Sequence, residues 1–402
     1  MHIAVFSQYH TNPDCPATSR HYTLLEHLAR THRVSLITTR TWEPQRFTQQ
    51  FPWVPEGVEM RAADVPYHNK MGVGRRALAF GQYAAYALRE GLRLDKPDVI
   101  WGISTPLTAA WAAAQVARLR RVPWVFEVQD LWPSFPIAMG AVPNAFARKQ
   151  LFALEKSLYT SAKHILPLSP DMSHYIEALE ISPAKITTVL NGTDFHLATA
   201  ATAAAVASLR EEQGLAGRRV VLYAGTFGRA NDIPTLVAAA EKMAPSHPDV
   251  TWLFMGHGFH EPLIRAAAAR CAGIRLIAPQ PRHAVFTWFR LAEVSVVSFL
   301  NLPVLDANSP AKFYDSLAVG TPVIVTNHGW TKKWVEDYQC GWYTPAGDAL
   351  TMASCISELL AIPATLKQAG EKGKTAALLH FDRNGIAANV QTVLEDAASI
   401  TN

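Results

Sequence analysis

Short apolar, β-rich runs alternate with helix-length amphipathic segments from one end of this chain to the other, and that alternation restricts it to one kind of architecture. In the first half the runs fall at 3–7, 34–38, 58–63, 99–101, 124–128 and 165–168, with helical patterns at 19–31, 75–94, 107–119, 145–161 and 171–179. In the second half they fall at 220–224, 251–255, 274–276, 294–298, 323–326 and 341–343. Helical patterns lie there at 233–243, 260–270, 283–290, 311–318, 331–338 and 349–360. Strands joined through helices pair in parallel by right-handed crossovers. A chain of 402 residues also exceeds what one ordinary core accommodates. The fold expected is α/β, with two doubly wound parallel-sheet (Rossmann-like) domains, 1–197 and 198–383, facing a cleft. The boundary is placed in the alanine- and threonine-rich stretch 197–205, which leads into a helix through Glu212. The closing segment 384–402 carries one more helix, expected to return to the N-terminal domain.

Composition narrows the function classes. Hydrophobic content of 49% with 17% charged residues describes a chain that folds, not a disordered one. A formal net charge of +4 is too mild for a dedicated nucleic-acid binder, although local basic clusters can still meet phosphates or an anionic membrane. The four cysteines, Cys15, Cys271, Cys340 and Cys355, form no CxxC pair, which argues against a zinc site or a disulfide framework and fits a reducing cytosol. A strand at 3–6 leaves no room for a signal peptide, and no uncharged apolar run reaches the roughly 20 residues a membrane span needs. A cytoplasmic protein is expected, able to touch the inner face of the membrane. Neither a metal nor a cofactor is expected.

The densest chemistry lies at Ser309-Pro310-Ala311-Lys312-Phe313-Tyr314-Asp315, just before Gly320, Pro322 and a buried strand. Ser309 suits an N-cap and Pro310 a first helical position. The helix start offers free N–H groups to a phosphate, Lys312 adds a charge, and Asp315 one turn on has the chemistry to take ribose hydroxyls. The same residues fit a plainer reading, a short helix with a Lys312–Asp315 surface pair. Two more loops at strand ends favour the ligand reading. Gly225-Thr226-Phe227-Gly228-Arg229 and Gly256-His257-Gly258 both follow parallel strands, where glycine lets backbone approach a phosphate and an arginine can clamp it.

These positions together resemble the glycosyltransferase family-four group, retaining enzymes of GT-B architecture, and within it the bacterial surface-polysaccharide branch that includes fucosamine-transferase-like proteins. The likeness is carried by Phe126-Glu127-Val128-Gln129-Asp130-Leu131-Trp132-Pro133, Asn191-Gly192-Thr193-Asp194, Tyr223-Ala224-Gly225-Thr226, Gly256-His257-Gly258, the 309–322 segment and Gly329-Trp330. It implies a nucleotide-sugar donor, UDP-linked, in the second domain. Gly225, Thr226, Gly256, Ser309, Pro310, Ala311 and Lys312 would line that donor and Asp315 would bind its ribose. Lys312, Arg229 and Asp130 would act at the reacting centre. Three positions depart from the family. Ala307 stands where the first acid of the spaced pair belongs, with Asp306 adjacent but out of register. Thr226 and Asn231 replace the basic residues of the phosphate loop, and Gln129 replaces the histidine before Asp130.

Departure of a diphosphate calls for positive groups aimed at the developing charge, which Lys312, Arg229 and the helix start supply without a metal. The departing phosphate can itself accept the acceptor's proton. Asp130 then positions sugar or acceptor, or simply caps the turn after its strand. Thr18, Ser19, Arg20 and Trp132 are the acceptor-side candidates, for a glycan or polyprenyl-linked acceptor; Trp132 fits a packed loop equally. The helix at 75–94 mixes aromatics with Arg89 and Arg93 and suits either an anionic lipid surface or an ordinary core-facing role. Two alternatives belong to other classes: a nucleotide-sugar epimerase of the same architecture, and a non-catalytic nucleotide-sugar-binding subunit.

Overall fold

The computed structural model describes residues 1–17, 20–41, 50–67 and 71–399, and divides the chain into two compact units. The first comprises Met1–Asn191, Ala307–Ser309 and the chain from Arg383 onward; the second comprises Gly192–Asp306 and Pro310–Asp382. The units part at Asn191/Gly192, several residues before the predicted 197/198. The alanine-rich stretch predicted as linker belongs wholly to the second unit, where Thr202 caps the helix Ala203–Glu212 by accepting from Ala205 N at 3.1 Å.

In the first unit β1 (His2–Phe6), β2 (Arg33–Thr39), β3 (Val58–Ala63), β4 (Val99–Ile103), β5 (Trp124–Val128) and β6 (His164–Pro167) form one sheet in the order β3-β2-β1-β4-β5-β6. In the second, β7 (Arg219–Ala224), β8 (Val250–Met255), β9 (Ile274–Ile277), β10 (Val294–Val297), β11 (Val323–Val325) and β12 (Gly341–Tyr343) run β12-β11-β10-β7-β8-β9. Every pairing is parallel. Both sheets therefore reverse their winding once, between β1 and β4 and between β7 and β10. Ligands of doubly wound sheets settle beyond the carboxyl ends at that reversal. The central strands are buried along almost their whole length, as sheets covered on both faces require.

The helix Arg383–Ser399 completes the first unit's core. Ile386, Val390 and Leu394 join Leu24, Leu25 and Leu28 of the helix Arg20–Ala29 in one buried cluster with Val5, Val99 and Trp101. The sequence reading assigns no element to 363–380, where the structure has the helix Pro363–His380. Glycine in a helix interior is a poor former, and Gly370 and Gly373 lie in this one. Their reason is packing: a Cβ on Gly370 would fall 2.0 Å from the Gly320 carbonyl oxygen, and one on Gly373 2.8 Å from Leu317. This helix thus packs closely on the end of the helix Ala311–Ala318.

Candidate active site

In the second unit, the carboxyl end of β7 and the helix that follows β10 meet at the reversal of the sheet. Lys312, second residue of the helix Ala311–Ala318, lays its ammonium 3.9 Å from the centre of the Tyr223 ring near the end of β7. Tyr223 is buried and its hydroxyl donates to the Thr226 carbonyl at 2.8 Å, so the ring is pinned. Gly225, at φ 138°, makes room: a Cβ there would stand 3.1 Å from Lys312 Cε and Nζ. Gly256, at φ 147°, packs behind it, since a Cβ would meet the Gly225 carbonyl oxygen at 1.9 Å. Only glycine fits either position. Lys312 is half-buried and has no ion pair or side-chain hydrogen bond among the described residues; burial pushes its pKa down to about 7. An ammonium held over an aromatic face, short of water and without a carboxylate, suits an incoming anion.

The helix start differs from the sequence reading. Ser309 is not its N-cap: Pro310 occupies that place in extended conformation and Ala311 is the first helical residue. Ser309 belongs to the first unit, where its carbonyl accepts from Asn191 Nδ2 at 3.0 Å. Proline's fixed φ is compatible with a cap as well as with the first turn, which is why the pattern misreads by one residue.

Asp315 requires a larger correction. It is only 2% exposed, and its carboxylate is taken by the Arg282 guanidinium, bonded to both oxygens, with Thr193 Oγ1 donating at 2.8 Å. Arg282 also faces Asp194 at 3.7 Å. Buried charge must be paired, and here the pairing consumes the carboxylate assigned to ribose. Asp315 anchors the helix Ala311–Ala318 to the Gly192-Thr193-Asp194 turn. Arg229 is exposed in the turn Arg229–Asn231, its guanidinium 3.8 Å from the Phe259 ring centre, and no carboxylate pairs with it among the described residues.

In the first unit Asp130 follows β5 and accepts from Thr105 Oγ1, beyond β4, at 3.1 Å; burial raises its pKa to about 6. Trp132, half-buried, meets Phe80 edge-on with centroids 5.8 Å apart. Arg20 is not free to touch an acceptor. It is fully buried, donates to both Glu127 oxygens at 3.2 and 3.4 Å and caps the Leu190 and Asn191 carbonyls at 2.7 and 3.0 Å. Burial alone would raise the Glu127 pKa, but Arg20 and then His21 override it and hold the carboxyl down at about 2. Thr18 and Ser19 lie outside the described residues.

The sequence reading gave no role of their own to His21 and Glu127. His21 Nε2 lies 2.9 Å from Glu127 and 3.2 Å from Gln129 Nε2, so an imidazole stands beside the very position where the family histidine is replaced. The one available signal was Glu127 itself, a carboxylate inside the apolar run of β5.

Two family descriptions match this chain in succession: a glycosyl transferase 4-like domain over residues 18–192 and glycosyl transferases group 1 over residues 218–361. A D-inositol 3-phosphate glycosyltransferase of Kribbella flavida is 24% identical over 304 residues, 71% of this chain and 68% of that one. Among solved structures, the sucrose-phosphate synthase of Thermosynechococcus elongatus superposes with a TM-score of 0.75 at 20% identity, covering all of both chains. HepE of Anabaena, in complex with UDP, gives 0.70 at 15% identity over 98% of this chain and 100% of its own. With a glycosyl transferase 4-like domain followed by a glycosyl transferases group 1 domain on two Rossmann-like sheets, the chain has the GT-B architecture of these structures and the domain pair that supports a GT4-type glycosyltransferase.

Proposed function

We propose that this protein moves a sugar from a nucleotide diphosphate, a UDP-sugar, to a glycan or lipid-linked acceptor in cell-surface polysaccharide biosynthesis, with retention of anomeric configuration. The observation that carries the reading is Lys312, an ammonium with no counter-ion, over Tyr223 and beside Gly225 at the reversal of the second sheet. A diphosphate beside it restores the charge that burial suppresses, and that charge counts most as the sugar C1–O bond breaks and negative charge gathers on the leaving phosphate. The acceptor oxygen forms the new bond to C1 on the same face, and its proton passes to a phosphate oxygen of the departing nucleotide. Lys312 and the helix start take the place of a metal. Arg229 contributes a second positive charge, held by Phe259 in the loop after β7. Asp130 orients sugar or acceptor, with Trp132 as a stacking surface. UDP is favoured by the likeness to HepE. Work at the inner membrane face fits a lipid-linked acceptor, and the helix Val73–Arg93 exposes Val73 and Leu78 among arginines there.

Thermal denaturation with UDP, GDP and ADP tests the donor site, since a ligand that binds only the folded state raises its stability. UDP is expected to raise the transition in the wild type and much less in Lys312→Ala; no shift with any nucleotide at millimolar concentration refutes the assignment. One observation favours the non-catalytic reading, the engagement of Asp315 by Arg282 where a ribose ligand was expected. Slow hydrolysis of a UDP-sugar, detected as free sugar, rules that reading out, and interconversion of the sugar identifies the epimerase.

A further inference from the structure

The carboxyl ends of the first unit's sheet carry Asp130 and Trp132; its amino ends carry a different concavity. A groove of about 820 Å³ opens where the helix Leu107–Arg120 ends and β5 and β6 begin. Arg118, Arg121, Lys163 and Lys185 stand on its walls, with no carboxylate among the described lining residues. Arg118, Arg121 and Lys163 are exposed and have no ion pair or side-chain hydrogen bond among the described residues. Lys185 donates to the carbonyls of Thr160 and Ala162 at 2.9 and 3.0 Å, which fixes its charge at the end of the helix Ala145–Ser161.

The floor is apolar, made by Trp111, Trp124, Leu154 and Leu158. The Trp124 indole N–H is already satisfied by the Ser161 carbonyl at 3.1 Å, so it asks nothing of a ligand. Arg121 closes the helix Leu107–Arg120 in left-handed conformation, φ 54°, a place where glycine is the least strained residue. Positive groups gathered around one concavity with no acid repel one another, and a bound polyanion offsets that repulsion.

We propose that this groove binds a phosphate ester with an apolar portion. The phosphate is held among Arg118, Arg121 and Lys163, and the apolar portion covers Trp111 and Trp124. Such chemistry comes either from the headgroup of an anionic lipid or from a free phosphorylated metabolite. The proposal is independent of the nucleotide-sugar reading, because the groove shares no residue with the Lys312 site.

The test uses the full chain and a variant combining Arg118→Gln, Arg121→Gly and Lys163→Gln. All three residues are exposed and glycine suits φ 54°, so an unchanged melting temperature is expected. Co-flotation with phosphatidylglycerol-containing vesicles probes the lipid source. Calorimetric titration with tripolyphosphate, in a Lys312→Ala background that silences the donor site, probes the soluble source. Binding to at least one probe is expected, weakened on the order of 100-fold in the triple variant, at about fivefold per basic residue near an anionic surface. Vesicles alone identify a lipid headgroup, and tripolyphosphate alone a soluble ligand. Equal binding by parent and triple variant, or binding of neither probe at millimolar phosphate, overturns the proposal. Should the triple variant melt early, Arg118→Glu alone carries the same test.

Discussion

Glu155→Gln should change how the stability of this protein depends on pH, and by an amount the structure sets. Glu155, on the helix Ala145–Ser161, is fully buried with no cation beside it; it accepts from Tyr159 at 3.2 Å and from Tyr175 at 3.1 Å. Tyr175 in turn meets Ser134 at 3.1 Å, two residues beyond Trp132, so the carboxyl supports the loop after β5. Burial raises its pKa from 4.5 to about 7, and the tyrosine hydrogen bonds only partly counter it. A carboxyl whose folded pKa is raised holds its proton longer folded than unfolded. Its contribution is complete below 4.5 and lost as pH climbs through about 7. At about 1.4 kcal/mol per decade the full span is ~3.4 kcal/mol, of which ~2.5 kcal/mol falls between pH 5 and 8.5. Glutamine keeps the shape and removes the titration. Chemical denaturation of wild type and variant across that range should show their difference in unfolding free energy moving by this amount in favour of the variant as pH rises. Groups common to both proteins, Asp130 and Lys312 included, cancel in the difference. Parallel stability curves would show that Glu155 carries no buried proton.

Nucleotide affinity should weaken above pH 7, approaching tenfold per pH unit, because Lys312, held down to about 7, must be charged to meet the diphosphate; isothermal titration from pH 7 to 9 reads this, and Lys312→Arg should flatten it. Gly256→Ala should cost several kcal/mol, more than the ~1 kcal/mol typical of a point mutant, and abolish nucleotide binding, since its Cβ meets the Gly225 carbonyl oxygen; Gly81→Ala, with nothing within 4 Å in the helix Val73–Arg93, should stabilise by up to ~1 kcal/mol in the same denaturation assay. Asp315→Asn should cost about 3 kcal/mol, the low end for a broken buried ion pair because Asp194 at 3.7 Å still faces Arg282, which unfolding free energies of variant and wild type measure.

Much of the fold was legible because strand and helix periods are local properties. Each predicted strand appears within a residue or two of its place, even the three-residue β12, whose aromatic pair is bounded by Gly341 and Pro345. What failed was packing information. Nothing local marks 363–380 as a helix, because Gly370 and Gly373 lower its propensity and their compensation comes from Gly320 and Leu317, distant in sequence. The boundary was placed on composition in 197–205, yet Thr193 and Asp194 already fall in the second unit, where their side chains meet Arg282, a partner the chain order does not reveal.

The site residues divide along the same physical line. Lys312 and Gly225 are singled out by the sequence because each demand is local to a helix start or a strand end, and topology brings those two ends to the reversal of one sheet. Asp315 and Arg20 were read as open to a ligand because a charge read in one dimension looks available. In three dimensions Asp315 answers Arg282, and Arg20 answers Glu127, each far away in the chain and each buried. With Asp315 bonded to Arg282 and Thr193, a nucleotide must either displace the guanidinium or take its ribose contacts elsewhere. The two routes differ in their effect on Arg282: displacement leaves a buried cation with Asp194, at 3.7 Å, as its remaining carboxylate and makes binding costly, so Arg282→Met would tighten UDP binding. If the ribose is held elsewhere, the same substitution leaves affinity unchanged once its effect on stability is separated by the denaturation assay.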